Sequence, residues 1–106
     1  MNYVAAFFAG AFHCNGVPHL VAGLQGMPFP TPFAKPRGVG NSPALVNFLW
    51  GALNLLAGLA LLSVSGVAIG LNLGFLVFVL GGLALGTHLS NHFGKVMRSR
   101  RDDPSA

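Results

Sequence analysis

The side chains best suited to chemistry in this chain are its four histidines. His88 and His92 lie four residues apart, so a helix would place both rings on one face. Neutral imidazole binds zinc, copper and haem iron, and it relays protons near neutral pH. His19, Asn47, His88 and His92 are therefore the candidate ligands, or the members of one polar cluster.

Acid–base and nucleophilic catalysis have little support in the remaining residues. The only acidic side chains are Asp102 and Asp103, close to the C-terminus. The sequence contains no Ser-His-Asp set and no glycine-rich phosphate loop that follows a strand. His13 and Cys14 are adjacent, and on a helix their side chains would point ~100° apart, which is poor geometry for a nucleophile and its base. The residues predict a protein that is not an enzyme.

The histidines fall within three long apolar segments, which must position them. The segments cover residues 3–25, 43–64 and 71–93, and none contains Lys, Arg, Asp or Glu. Each is near the ~20 residues that a helix needs to cross the hydrocarbon of a bilayer. With 53% hydrophobic and 8% charged residues, the chain has too few charges to cover a water-soluble domain. The sequence predicts an all-α integral membrane protein, a bundle of three transmembrane helices spanning residues 1–94.

The basic residues predict an orientation, because three crossings put all of them on one side of the membrane. Two lie in the proline-rich loop of residues 26–42 and four in a polar tail of residues 95–106: Lys35, Arg37, Lys95, Arg98, Arg100 and Arg101. Basic residues that flank membrane helices are retained in the cytoplasm, which predicts the N-terminus outside and the C-terminus inside. We expect the tail to be cytoplasmic and partly disordered. The net charge of +4 does not indicate nucleic acid binding, because these charges serve orientation and contact with lipid headgroups.

Small and polar residues recur at helical spacing in the second and third segments. They are Asn47, Gly51, Asn54 and Gly58 in the second segment, and Gly82 and Gly86 in the third. Lipid tails give helices no hydrophobic reason to associate. Helix association in membranes depends instead on small residues, which let the backbones approach closely. We expect these four glycines to lie in helix contacts, either within the chain or with another copy or protein.

Three motifs between Asn15 and Asn54 carry a family resemblance. They are G-x-P-H from Gly16, F-P-T-P-F-A from Phe29 and N-x-x-W-G-x-x-N from Asn47. This run, a little over a third of the chain, resembles a family of small bacterial inner-membrane proteins of uncharacterised function. The resemblance implies a multi-pass protein of the cell inner membrane. It implies no activity, ligand or catalytic residue.

The matching residues also suggest how the first loop folds. By topology they lie on the cytoplasmic half of the protein. We expect the loop to fold back there, with His19 bonded to Asn47 or to a loop carbonyl beneath a lid of Phe29 and Phe33. Ser42 precedes a proline and is predicted to cap the second helix.

Function is predicted less sharply than fold. The favoured interpretation is a non-enzymatic membrane protein that acts through helix contacts, as a homo-oligomer or as an accessory subunit of a larger complex. Its expected partners are the lipid bilayer and either itself or other membrane proteins, with no nucleic acid and no cofactor. One alternative is a metal or haem carrier that uses His19, His88 and His92. Another is a small oligomeric transporter or channel, which needs several copies because three helices enclose no usable cavity.

Overall fold

The computed structural model describes residues 1–103, and within them it contains three α-helices. These are α1 (Tyr3–Leu24), α2 (Ala44–Ser65) and α3 (Leu73–Arg101). The loop between α1 and α2 carries two short antiparallel strands, β1 (Phe29–Pro30) and β2 (Asn41–Ser42). All three helices are long and apolar enough to cross a membrane. The predicted all-α class and the number of helices are confirmed.

Helix α1 lies at the centre of the molecule. It packs against both α2 and α3, whereas α2 and α3 make hardly any contact with each other. Helix α2 is antiparallel to α1, since the Asn2 N–H donates to the carbonyl of Ser65 at 2.8 Å. Helix α3 is parallel to α1, because Met1 lies against Gly74 at the start of both helices. The loop between α1 and α2 therefore lies at the same end of the molecule as the end of α3.

The exposed and buried residues are distributed in the opposite way to those of a water-soluble domain. Helix α2 buries only small or polar residues, namely Asn47, Gly51, Asn54, Gly58 and Ser65. Its large apolar side chains face outward, among them Leu45, Leu49, Leu53, Leu56 and Leu59. Soluble monomers rarely expose contiguous apolar patches of this kind. Such a surface is suited to hydrocarbon, with close packing of small residues inside.

Glycine permits the closest helix approach in the interface between α1 and α3. A Cβ atom on Gly10 would overlap the backbone carbonyl oxygen of Phe78, and one on Gly81 would overlap that of Phe7. Only a residue without a side chain allows backbones this close, so these two glycines set the distance between the helices.

The four glycines predicted to pack helices all lie in contacts within the chain. A Cβ atom on Gly51 would lie 2.6 Å from the Leu20 nitrogen, and one on Gly58 would overlap the His13 ring. The contacts at Gly82 and Gly86 are looser, with a Cβ atom 3.5 Å from the Gly10 oxygen and 3.3 Å from the Cys14 sulfur respectively. The glycine of α3 that lies closest to the backbone of α1 is thus Gly81, the residue before the predicted Gly82–Gly86 motif.

Helix α3 is longer than the apolar pattern predicts. That pattern ends at residue 93, yet the helix continues to Arg101. Lys and Arg are good helix formers, and three arginines in the last turn interact favourably with the carbonyl end of the helix dipole. Residues 95–101 of the predicted tail are therefore helical, and the expectation of partial disorder stays a prediction, since residues 104–106 lie outside the described residues.

Helix α2 begins differently from the prediction. Pro43 is the residue before the helix, and no side chain caps the first turn. The Ser42 hydroxyl instead forms a 2.5 Å hydrogen bond with the hydroxyl of Thr31. The predicted Ser42 cap is wrong, because the loop's own structure uses that hydroxyl group.

Candidate functional site

The densest side-chain network lies at the end of the molecule that carries the loop, around His19 of α1. His19 is 2% exposed and Asn47 is fully buried. The Nδ1 atom of His19 lies 2.8 Å from Oδ1 of Asn47. Since an amide oxygen only accepts, Nδ1 of His19 carries the proton. The predicted hydrogen bond between His19 and Asn47 is confirmed, and it fixes the tautomer of the ring.

The Asn47 amide also fastens both ends of the loop. Its Nδ2 group donates to the carbonyl oxygens of Phe29 at 3.0 Å, Ser42 at 3.1 Å and Pro43 at 3.3 Å. One buried side chain thus connects α1, α2, β1 and β2. An amide in a buried site is stable only when its donors and its acceptor are satisfied, and Asn47 meets that condition.

Aromatic rings from three elements surround His19. The ring centroids of Phe29, Trp50 and Phe93 lie 5.6, 6.5 and 6.3 Å from that of His19, each in an edge-to-face arrangement. Phe29 and Phe93 also contact each other at 4.7 Å. The loop, α2 and α3 therefore all contribute to the enclosure of one imidazole.

The predicted lid over His19 is half right. Phe29 covers the ring, whereas Phe33 packs on Trp50 at 4.9 Å and remains 62% exposed. The reason lies in the turn that follows β1, where the Phe33 N–H donates to the Thr31 hydroxyl at 3.2 Å. In this turn the Phe33 ring lies on Trp50 rather than on His19.

Helix α3 holds the loop from the side through two contacts. Nε2 of His92 donates to the carbonyl oxygen of Gly38 at 2.6 Å. Eight residues further along the same helix, the Arg100 guanidinium donates to the carbonyl oxygen of Val39. The extension of α3 beyond the apolar segment therefore has a structural role, because it reaches across to the loop.

The histidines do not form the predicted ligand set. His88 and His92 stack with ring centroids 6.4 Å apart, but His88 is exposed and His92 bonds to the loop. Among residues 1–103, no three His, Cys, Asp or Glu side chains are grouped so that they could hold a metal ion. Of the four residues predicted to meet, His19 and Asn47 are hydrogen-bonded to each other. The ring centroids of His92 and Phe93 lie 5.1 Å apart, and Phe93 in turn contacts His19. His88 lies outside this cluster.

A second amide pair, formed by the buried Asn54 and the half-buried Asn15, was not anticipated from the sequence. The Nδ2 group of Asn15 donates to Oδ1 of Asn54 at 2.8 Å, and Nδ2 of Asn54 donates to the Trp50 carbonyl at 2.8 Å. Spacing was the available signal: Asn15 lies four residues before His19, and Asn54 seven after Asn47. Because α1 and α2 are antiparallel, these intervals let Asn15 face Asn54 one level along the helices from the point where His19 faces Asn47.

Charge is confined to the end of the molecule that carries the loop. All the basic residues lie in the loop or in the last two turns of α3, and Asp102 and Asp103 directly follow that helix. The opposite end, formed by residues 1–2 and 66–72, contains no Lys, Arg, Asp or Glu. The hydrogen bonds from His92 and Arg100 to the loop bring the two basic segments together.

Comparison with known proteins gives no further assignment. No family model, no curated protein and no solved structure matches the chain. The resemblance to small bacterial inner-membrane proteins therefore stays a prediction that depends on the motifs alone.

Proposed function

We propose that this chain is a multi-pass protein of the cell inner membrane, with its N-terminus outside and its basic end in the cytoplasm. Three sufficiently long apolar helices and an outward-facing layer of large apolar side chains support membrane insertion. The confinement of all charged side chains to one end supports the orientation, since basic segments resist translocation. The lipid bilayer is then the partner of most of the surface.

Within that membrane, we propose a non-enzymatic role that operates through helix and loop contacts, as a homo-oligomer or as an accessory subunit. The observation that carries this proposal is the use of polar groups in the His19 network. His19 bonds to Asn47, Asn47 bonds to the loop, and both side chains are inaccessible to a substrate. A catalytic group needs to face its substrate. This network instead holds a loop rigidly at the cytoplasmic surface.

The fixed loop presents a surface that a partner or the membrane interface can contact. Met27 is 55% exposed and Phe33 is 62% exposed, and both lie in the same loop as the exposed Lys35 and Arg37. Apolar and basic side chains in combination suit the boundary between headgroups and water. A metal or haem carrier has less support, because ring nitrogens of His19 and His92 are already bonded within the protein.

Native mass spectrometry after extraction in mild detergent tests the proposed role. We expect an assembly heavier than the 11.0 kDa chain, made of several copies or including a second membrane protein. A chain that remains monomeric in every mild detergent and in lipid nanodiscs would contradict the proposal. Additional mass that matches a haem or a metal ion would favour a carrier instead. Resistance to alkaline carbonate extraction provides the separate control that the chain is integral to the membrane.

A further inference from the structure

An open groove runs along α1 and is flanked by one residue of α2 and one of α3. It has a volume of about 300 Å³, and all three helices contribute to its walls. The lining residues are Phe8, Ala11, Phe12, Asn15, Asn54 and Leu85. The groove is thus apolar apart from the two carboxamides of the second amide pair.

Asn15 has hydrogen-bonding capacity that the described chain does not use. One N–H of its amide donates to Asn54, whereas its Oδ1 atom and its second N–H make no hydrogen bond with any residue in 1–103. Asn54 differs, since its oxygen accepts from Asn15 and its nitrogen donates to the Trp50 carbonyl. Within the described chain, each nitrogen of the pair keeps one N–H without a partner, but the carboxamide oxygen that accepts no hydrogen bond is that of Asn15 alone.

The depth of Asn15 makes that unused capacity costly. Asn15 lies twelve residues after Tyr3 in the 22-residue helix α1. That is about 18 Å along a helix of about 33 Å, which is close to the middle of the hydrocarbon. Polar side chains at that depth face protein or water rather than lipid. A lipid tail in the groove would leave the Asn15 oxygen without a donor.

We propose that a second copy of this chain docks on the groove, with the two Asn15 carboxamides hydrogen-bonded to each other. The proposal rests on the proposed membrane orientation, because copies inserted in the same direction have Asn15 at the same depth. A two-fold axis along the membrane normal then brings Asn15 of one copy opposite Asn15 of the other. A carboxamide is self-complementary, since it offers both a donor and an acceptor.

The residues around Asn15 suit such a pairing. Phe8 is 50% exposed and Phe12 is 37% exposed, and both lie beside Asn15 on the groove. In a two-fold pair the rings of each copy pack along the groove of the other and exclude lipid from around the amides. Polar side chains that bond between helices are a recognised source of specific association in membranes.

Cysteine cross-linking in native membranes tests the proposal. The variant is Ala11→Cys combined with Cys14→Ala, which places the single thiol on the groove, four residues before Asn15. After oxidation with copper phenanthroline, we expect a covalent dimer of twice the chain mass. The unmodified chain is the matched control, because Cys14 lies in the interface with α3, near Gly86. Its thiol is expected to give little dimer under the same conditions.

Two substitutions in the Ala11→Cys background test the role of the amide. Asn15→Leu is expected to lower the cross-linked fraction about fivefold, in line with hydrogen bonds between membrane helices. Thr87→Val is expected to leave it unchanged, because the exposed Thr87 hydroxyl donates to the Leu83 carbonyl of its own helix at 2.8 Å. If Asn15→Leu fails to accumulate, the Ala11→Cys chain with Asn15 intact still decides the outcome.

The possible results separate this inference from the proposed function. A chain that carbonate releases from membranes would overturn both. A chain that stays in the membrane but yields no dimer through Ala11→Cys would overturn the docking proposal alone. A cross-linked product of any other mass would do the same, since another protein would then occupy the groove. If the Asn15→Leu variant gave as much dimer as the Ala11→Cys chain with Asn15 intact, the amide pair would not hold the interface, which would contradict the inference.

Discussion

Replacing Asn47 with alanine is expected to lower the stability of the purified protein by about 3 kcal/mol or more. The substitution removes the acceptor of His19 and the donor shared by three loop carbonyls. Each bond is worth about 1 kcal/mol net, and a buried partner left unsatisfied costs a further 1–3 kcal/mol. Thermal unfolding in mild detergent, followed by circular dichroism, measures the change.

The two histidines of α1 provide a matched comparison for this prediction. His19→Ala leaves the buried Asn47 oxygen without a donor and empties a space between three aromatic rings. His13→Ala loses a 2.7 Å bond to the Ala9 carbonyl of its own helix and the packing of the ring on Phe78 and Gly58, but no side-chain hydrogen bond to another element. We expect the melting temperature to fall clearly further for His19→Ala than for His13→Ala. Equal values would mean that the His19 network does not hold the loop.

The second large effect is expected from adjacent glycines of α3. A Cβ atom added at Gly81 would overlap the Phe7 carbonyl oxygen, whereas one at Gly82 would lie 3.5 Å from its nearest neighbour, in ordinary contact. Gly81→Ala must therefore push α3 away from α1, at a cost of about 3 kcal/mol, near the upper end for overpacking. Gly82→Ala is expected to be neutral or to gain up to about 1 kcal/mol from helix propensity.

Detergent denaturation of both variants under one set of conditions measures this difference. The two substitutions change the same chemistry at neighbouring positions, so expression, hydrophobicity and helix propensity are matched. A loss of stability in Gly82→Ala equal to that in Gly81→Ala would contradict the close α1–α3 contact. A neutral Gly81→Ala would do so as well.

Much of the fold could be predicted from the sequence, because membrane helices have a strong and simple pattern. The apolar segments gave the three helices, and the stripe from Asn47 to Gly58 gave the buried face of α2. That stripe is informative because small and polar residues are the unusual ones on a Leu-rich helix. The central position of α1 was not predictable, since all three helices carry small residues on more than one face.

The remaining differences come from contacts that spacing alone cannot reveal. Beyond its apolar segment, helix α3 reaches the loop through the bond from Arg100 to the Val39 carbonyl, a tertiary contact that hydrophobicity does not encode. Phe33 packs on Trp50 rather than on His19, within a turn held by the bond from its N–H to the Thr31 hydroxyl. The position of His88 outside the His19 cluster could not be foreseen, because helical periodicity places residues on a face without telling which neighbour that face meets.

Cysteine accessibility in intact cells tests the central claim, a three-span protein with its basic end in the cytoplasm. In a Cys14→Ala background, Phe33→Cys marks the exposed loop and Ala68→Cys marks the exposed link between α2 and α3. Neither substitution changes a charge. With a membrane-impermeant maleimide, we predict that Ala68→Cys reacts in spheroplasts and that Phe33→Cys reacts only after the membrane is permeabilised. The reverse pattern would contradict the orientation, and equal labelling of both sites before permeabilisation would contradict the membrane-spanning fold.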